Sequence, residues 1–157
     1  MNILLVEDNK IKRIAIEHSM HRLRPECRIR TFNNLEEAEY FLDRNAELTD
    51  LMILDWCFPE SLEGNVKTGA GKEMLDYVQE HHYNVRTIIC SGNEMNDEEL
   101  KPYKFLLGHV LFGKGNPGDQ IYRIYLDYWA RVSHKLRKLE EKQDAPKVKK
   151  LVNNDVK

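Results

Sequence analysis

Apolar runs suited to buried strands alternate along this chain with stretches of helical periodicity, and this alternation restricts the possible folds. Five strand-like segments are predicted, at residues 2–7, 27–32, 50–56, 85–90 and 109–113. Helical segments are predicted between and after them, at residues 10–23, 35–44, 72–81, 97–107 and about 119–141. Strands joined by helices form right-handed βαβ units and a parallel sheet. The pattern therefore predicts an α/β fold, a doubly wound parallel sheet of five strands.

The helical faces and loops carry more specific expectations. In the first predicted helix, the apolar positions Ile11, Ile14, Ala15 and Leu23 indicate the face turned toward the core. Residues 59–72 are rich in Gly, Asn and Lys and are predicted to form a loop. Pro102 is expected to fit an early turn of the fourth helix.

Size and composition narrow the class of protein. The 157 residues suffice for one core, and the net charge of −2 argues against nucleic acid or an anionic membrane as the main partner. Three cysteines without close spacing indicate a reducing compartment. No apolar stretch approaches the roughly 20 residues of a membrane span, and no signal peptide is evident. We therefore expect a cytoplasmic protein.

The charge distribution divides the chain. From Arg131 onward nine Lys and Arg oppose four Asp and Glu, so that this part carries +5 and the remainder −7. We expect a domain over residues 1–130, followed over 131–157 by an extended last helix and a basic tail that is disordered beyond Asp144.

Polar residues stand where four of the predicted strands end. Glu7 and Asp8 come after the apolar run ILLV of the first strand, and Asp55 comes after the run LMIL of the third. Ser91 follows the fourth strand and Lys114 the fifth. The carboxyl ends of parallel strands lie along one edge of the sheet, so these side chains are expected to meet there. Carboxylates raise one another's pKa unless a cation intervenes, and Mg²⁺ prefers oxygen ligands. The sequence predicts a site for Mg²⁺ and a phosphoryl group, with side chains 8, 55 and 114 within a few ångströms.

Four segments, NILLVEDN, LMILDWCFP, IICSGN and LFGKG, together resemble the receiver domain of bacterial two-component response regulators. The resemblance covers about residues 2–130, with the motifs in the order of that family. It implies a flavodoxin-like (βα)5 fold with strand order 2-1-3-4-5 and a phosphate site between strands 1 and 3.

The resemblance also implies residue roles. Asp55 would be the phosphoacceptor, taking a phosphoryl group from a histidine kinase or phosphotransfer protein. Asp8 and Asp55 would bind Mg²⁺ directly, Glu7 through water, and Cys57 through its backbone carbonyl.

The ammonium of Lys114 and the hydroxyl of Ser91 would contact the transferred group. Such a protein phosphorylates and dephosphorylates itself, rather than turning over a separate substrate, and signals to a downstream protein by contact.

Several residues depart from the family's pattern. About eight residues are inserted between Pro59 and Gly71, Gly115 replaces a proline after Lys114, and Leu111 stands where a switch aromatic is usual. An alternative is therefore a receiver-like module that binds proteins without being phosphorylated. A haloacid-dehalogenase-like phosphatase is a further reading, although that family has a second Asp where Cys57 stands. The GAGK run at 69–72 lacks the spacing of a phosphate-binding loop.

The last helix carries an apolar stripe, Trp129, Val132, Leu136 and Leu139, at spacings of three, four and three. One reading is a seam for a homodimer or a partner helix. The other is a solvated end of the last helix.

Overall fold

The structure is a computed structural model that describes residues 1–155, with side chains described through Asp144. The strands are β1 (Asn2–Val6), β2 (Arg28–Phe32), β3 (Leu51–Leu54), β4 (Phe58–Pro59), β5 (Val66–Lys67), β6 (Thr87–Ser91) and β7 (Leu106–Leu111). The α-helices are α1 (Lys10–Leu23), α2 (Leu35–Asn45), α3 (Ala70–Glu80), α4 (Asp97–Leu100) and α5 (Pro117–Asp155), and a single 3₁₀ turn covers Ala46–Leu48.

Five strands form one parallel sheet in the order β2-β1-β3-β6-β7. Counted without the β4–β5 hairpin, this is the order 2-1-3-4-5, and the predicted flavodoxin-like fold is confirmed. Val6 at the end of β1 pairs with Phe32 on one side and with Leu54 on the other. The register therefore aligns the carboxyl ends of β1 and β3, where the predicted site residues follow.

Alternate side chains of each buried strand serve opposite faces of the sheet. On one face, Leu4 and Val6 of β1 belong to a buried cluster that includes residues of α2 and α3. That cluster is completed by Leu35, Ala38, Leu42, Met52, Leu54, Phe58, Ala70, Met74, Leu75, Val78, Val85, Ile89, Leu100 and Tyr103. Ile3 and Leu5 of β1 are equally buried on the other face. Helices on both faces explain why the strands are apolar throughout.

Helix α1 turns a different face inward from the predicted one. Ile11 and Ile14 are 78% and 50% exposed, whereas Ile16 and Met20 are buried. The apolar count misled here because β-branched residues occur on both faces of this short helix. The buried stripe is set by contact with the sheet and with the start of α5, where a Cβ on Gly118 would lie 2.7 Å from Cβ of Ser19.

The segment predicted as a loop contains a short antiparallel hairpin instead. Phe58 pairs with Lys67, and Pro59 pairs with Val66. Phe58 is fully buried and anchors the hairpin in the core, while the carbonyl of Glu60 accepts a hydrogen bond from the backbone N–H of Glu36 (2.9 Å) at the start of α2. Burial of one aromatic residue thus orders a segment whose composition indicated a loop.

The fourth helix is much shorter than predicted. It ends at Leu100, and β7 begins at Leu106, three residues before the predicted strand. Pro102 is the sixth residue from the start of α4, beyond the first turn, so its missing N–H interrupts the helix. The next residues join the sheet, where Leu106 pairs with Thr87 of β6.

The chain forms two compact units, Met1–Ile124 and a second that begins at Tyr125. The expected boundary at residue 130 stays a prediction. Within the second unit, the rings of Tyr125 and Tyr128 contact Trp129 edge-on. The helical backbone extends to Asp155, and the predicted disorder beyond Asp144 lies outside the residues whose side chains are described. No helix among the described residues is long and apolar enough to cross a membrane.

Candidate functional site

Three carboxylates meet at the carboxyl edge of the sheet, as predicted. Glu7 and Asp8 follow β1, Asp55 follows β3, and one oxygen of each lies within 4.8 Å of the others. The ladder places them there, because the N–H of Asp55 donates to the carbonyl of Val6 (3.0 Å) and that of Glu7 to the carbonyl of Phe32 (3.0 Å). The cluster is a direct consequence of the parallel register.

Close packing from α3 fixes the backbone of Asp55. The N–H of Gly71 donates to the carbonyl of Trp56 (3.0 Å), and a Cβ on Gly71 would lie 2.5 Å from the carbonyl oxygen of Asp55. That separation is far below van der Waals contact, so only glycine allows this approach. The side chain of Asp55 is 8% exposed. Its Oδ1 accepts a hydrogen bond from the backbone N–H of Trp56 (2.8 Å), and among the described residues no hydrogen bond is made to Oδ2.

Glu7 is the most deeply buried of the three acids, with only 1% of the residue exposed. Its Oε1 accepts a hydrogen bond from the N–H of Asn9 (2.9 Å). No hydrogen bond from the described residues reaches Oε2 with acceptable geometry. Burial, followed by the charge of Asp55, raises the pKa of Glu7 to about 7. Burial is also the main cause of the raised pKa of Asp8.

Lys12 also belongs to the site, and sequence reasoning missed it. Its Nζ lies 3.0 Å from Oε2 of Glu7 and donates a hydrogen bond to Oδ1 of Asp55 (3.1 Å). Burial alone would lower the pKa of Lys12, but the charges of the two acids outweigh it and raise that pKa. Lys12 by itself would lower the pKa of Glu7, but burial and the charge of Asp55 outweigh that effect. The pKa values of Lys12 and of Glu7 are therefore both raised.

A signal for Lys12 was present in the sequence. Lys12, Ile16 and Met20 are spaced four residues apart, which places them on one face of a helix. Once Ile16 and Met20 are recognised as the buried pair, Lys12 has to face the strand ends. It was overlooked because Ile11 and Ile14 were assigned to that face.

The other predicted site residues differ in their placement. Ser91 is the last residue of β6, is buried, and its Oγ accepts a hydrogen bond from the N–H of Asn93 (3.2 Å). Cys57 is half-buried two residues after Asp55. Lys114 is exposed and its ammonium forms no ion pair or hydrogen bond with residues 1–144. The structure brings together Glu7, Asp8 and Asp55, and the cation beside them is Lys12.

The donor set suits a divalent cation. All three acids offer the hard oxygen ligands that Mg²⁺ and Mn²⁺ prefer, close enough together to share one ion. Oε2 of Glu7 is buried, and its partner among the described residues is the ammonium of Lys12 at 3.0 Å, which forms an ion pair but no hydrogen bond of acceptable geometry with it. A coordinated water or a metal ion would satisfy this oxygen in place of Lys12. The residues present could therefore hold a divalent cation.

The raised pKa of Glu7 predicts a pH dependence of stability without divalent cations. Between its ordinary value of 4.5 and about 7, the folded protein binds more protons at Glu7 than the unfolded chain does. The free energy of unfolding should therefore fall as pH rises through this window, on the order of 1–3 kcal/mol. Urea denaturation in the presence of a chelator measures it, and the Glu7→Gln variant should lose this component.

The wild type has to be compared with Glu7→Gln because Glu39 also contributes to the pH dependence of stability. The pKa of Glu39 is also raised to about 7 by burial, and its contribution stays in both proteins. Equal pH profiles for the wild type and Glu7→Gln would show that Glu7 ionises normally in the folded state.

No protein-family model and no curated protein matches this chain in sequence. Solved structures match it well. The signal receiver domain of a LuxO repressor protein from Vibrio parahaemolyticus aligns with a TM-score of 0.64 at 20% identity, covering 89% of this chain and 96% of its own.

This chain has the receiver fold. The phosphorylated cyanobacterial phytochrome response regulator RcpA aligns with a TM-score of 0.56 at 21% identity, covering 78% of this chain and 86% of its own. The Mn²⁺-bound form of the response regulator Rcp1 aligns with a TM-score of 0.56 at 17% identity, covering 78% and 88%. Receiver-fold proteins thus include one solved with a phosphoryl group and one solved with a divalent ion.

Proposed function

We propose that this chain is a phosphoacceptor signalling switch, in which Asp55 takes a phosphoryl group in a Mg²⁺-dependent reaction. The observation that carries the proposal is the clustering of Asp55 with Glu7 and Asp8 at the carboxyl edge of a receiver-fold sheet. The Mn²⁺-bound and phosphorylated relatives in fold support both parts of it.

The chain's own residues prepare Asp55 for attack. The N–H of Trp56 holds Oδ1 and so orients the carboxylate, and Oδ2 is the oxygen left for bond formation. Oδ2 attacks the phosphorus of a phosphohistidine or a small phosphodonor, the bond from phosphorus to the donor breaks, and the leaving group takes up a proton. The product is an acyl phosphate on Asp55. A bound Mg²⁺ supplies neutralisation of the charge on the phosphoryl oxygens.

Other site residues have proposed roles at the same edge. The hydroxyl of Ser91 and the ammonium of Lys114 would bind phosphoryl oxygens, and the exposed Lys114 is free to turn inward for this. Asp8 and Asp55 would bind the metal directly, Glu7 through water, and Cys57 through its backbone carbonyl. Attack of water on the phosphorus would break its bond to the Asp55 oxygen, release inorganic phosphate and restore the free carboxylate, so that the switch resets itself.

Beryllofluoride, which mimics a phosphoryl group on a carboxylate, tests the proposal. The backbone N–H of Trp56 donates a hydrogen bond to the Asp55 carboxylate, so the fluorescence of Trp56 should report occupation of the site. Trp129, the second tryptophan of the chain, is replaced by Phe so that Trp56 alone is measured. We expect the fluorescence of Trp56 to change with Mg²⁺ and beryllofluoride together and to stay constant with beryllofluoride alone. An unchanged signal in both cases would count against the proposal.

A second candidate function is a phosphorylation-independent protein-binding module. It is favoured by the ion pair of Lys12 with Asp55 and by the exposure of Lys114. Gly115, with a φ of +87°, replaces the family's proline, so the turn after Lys114 is built differently. Under this reading the same beryllofluoride experiment gives no response, while partner binding persists in the Asp55→Asn variant.

Protein partners are proposed to deliver and read the phosphoryl group. A histidine kinase or phosphotransfer protein would be the donor, and a downstream protein would recognise the switched surface. Exposed apolar side chains that could take part in such contacts are Ile11 and Ile14 on α1, and Leu62 between the two strands of the hairpin. We propose a cytoplasmic setting for this exchange, without nucleic acid or membrane as a partner.

Self-association through the last helix is a further part of the proposal. Trp129, Leu136 and Leu139 are 38–56% exposed at helical spacing. If they form a seam, full-length protein should sediment as a dimer, and Leu136→Glu with Leu139→Glu should sediment as a monomer. If both proteins sediment as monomers at the highest soluble concentration, the dimer is ruled out and the end of the last helix is a solvated helix.

A further inference from the structure

We propose that Lys12 is a built-in counter-ion of the carboxylate cluster, and that it has to leave this position before a divalent cation can bind Asp55 directly and Glu7 through water. The inference deepens the proposed metal site and rests on it. It concerns the control of metal binding, and its test needs no phosphodonor.

The position of the ammonium carries the inference. Nζ of Lys12 lies 3.0 Å from Oε2 of Glu7 and 3.1 Å from Oδ1 of Asp55, between two of the three acids that a metal would share. A cation held this close to both oxygens neutralises part of the negative charge that would otherwise attract a metal ion. Two cations crowded against the same two carboxylate oxygens would repel each other strongly in a poorly solvated site.

Burial makes this ion pair consequential. The side chains of Lys12, Glu7 and Asp55 are 15%, 1% and 8% exposed, so water screens their charges poorly. An exposed ion pair would contribute little, whereas removal of one partner from a buried cluster leaves uncompensated charge. The stability of the metal-free protein therefore depends on the charge of Lys12, whereas in the metal-bound protein the cation would compensate the carboxylates instead.

Lys12 can move without disturbing the helix that carries it. Its backbone N–H is capped by the side chain of Asn9 (3.0 Å), which holds the first turn of α1 whatever the lysine side chain does. The ammonium sits at the end of four methylene groups and reaches solvent by rotation about them. Its Nζ also lies 5.5 Å from the ring centre of Phe112, so its departure would end a cation–π contact just after β7.

Mg²⁺ binding to full-length variants, measured by calorimetry, tests the inference. We expect Lys12→Met to bind Mg²⁺ with an apparent Kd at least about tenfold lower than that of the wild type, since no ammonium competes. Lys10→Met is the matched control, because Lys10 is exposed on the same helix and the substitution removes the same charge. It should leave the Kd within about twofold of the wild type.

The thermal stability of Lys12→Met without metal should change in the unfavourable direction, although its Mg²⁺ binding becomes tighter. In the presence of a chelator, Lys12→Met should unfold at a lower temperature than Lys10→Met, and Mg²⁺ should raise its Tm more than that of the wild type. If Lys12→Met does not fold without metal, recovery of its fold on addition of Mg²⁺ supports the inference. Lys12→Gln, which keeps a hydrogen-bond donor but no charge, then provides the Kd.

Equal or weaker Mg²⁺ binding by the neutral Lys12 variants would overturn the inference, as would absence of Mg²⁺ binding in every variant. Failure of Asp55 to accept a phosphoryl group would overturn the proposed function alone. Tight binding by Lys12→Met together with an inert Asp55 would thus separate the two.

Discussion

Replacement of Asp55 by Asn should abolish phosphoryl incorporation. The amide keeps the size and can still accept the N–H bond of Trp56, but it has no carboxylate oxygen for attack. In intact-protein mass spectrometry after incubation with Mg²⁺ and a small phosphodonor, the wild type should gain the mass of one phosphoryl group, and Asp55→Asn should gain none. Circular dichroism should show that the variant is folded.

The control for this experiment is another Asp→Asn change. Asp127 is exposed in the last helix and does not follow a strand in the sequence, so Asp127→Asn should be phosphorylated like the wild type. Phosphorylation of Asp55→Asn to the wild-type extent would assign the acceptor to another residue.

Replacement of Gly71 by Ala should cause a large loss of stability. The added Cβ would lie 2.5 Å from the carbonyl oxygen of Asp55 and 2.9 Å from Cα of Trp56, and both are backbone atoms that cannot rotate away. Either α3 or the segment after β3 has to shift. Overpacking of this kind costs about 1–3 kcal/mol, measured as the free energy of unfolding in urea. The same shift should slow phosphorylation of Asp55 at saturating Mg²⁺.

Gly92 provides the matched control, since it follows Ser91 at the same edge of the sheet. A Cβ there meets no atom within 4 Å and the φ is not positive, so Gly92→Ala should change the free energy of unfolding by less than about 0.5 kcal/mol. Equal stability of Gly71→Ala and Gly92→Ala would show that the close approach of α3 is not maintained in solution.

The sheet and the acidic cluster were predictable from the sequence, because both follow from strand periodicity and parallel topology. Glu7, Asp8 and Asp55 lie together because each comes within two residues of the end of a strand, and the carboxyl ends of parallel strands all lie at the same edge of the sheet. Errors of one or two residues in the strand limits do not change that edge. Ser91, the last residue of β6, was placed for the same reason.

Lys12, the hairpin and the short α4 were missed because each depends on contacts between distant segments. The face of α1 that is buried is decided by its packing against the rest of the fold. A count of apolar residues therefore favoured the face of the exposed Ile11 and Ile14 over the face of the buried Ile16 and Met20. The hairpin depends on the burial of Phe58, and α4 stops where pairing with β6 begins. Loop residues such as Lys114 are placed by turn geometry, for which the sequence offers only Gly113 and Gly115, both at positive φ.

The most direct test of the account identifies the phosphorylated side chain chemically. Borohydride reduces an aspartyl phosphate to homoserine, which tandem mass spectrometry locates in the digested protein. After incubation with a small phosphodonor and Mg²⁺, we expect homoserine in place of Asp55, and with a chelator instead of Mg²⁺ we expect none. Homoserine at a different aspartate, or its absence with Mg²⁺ present, would contradict the account.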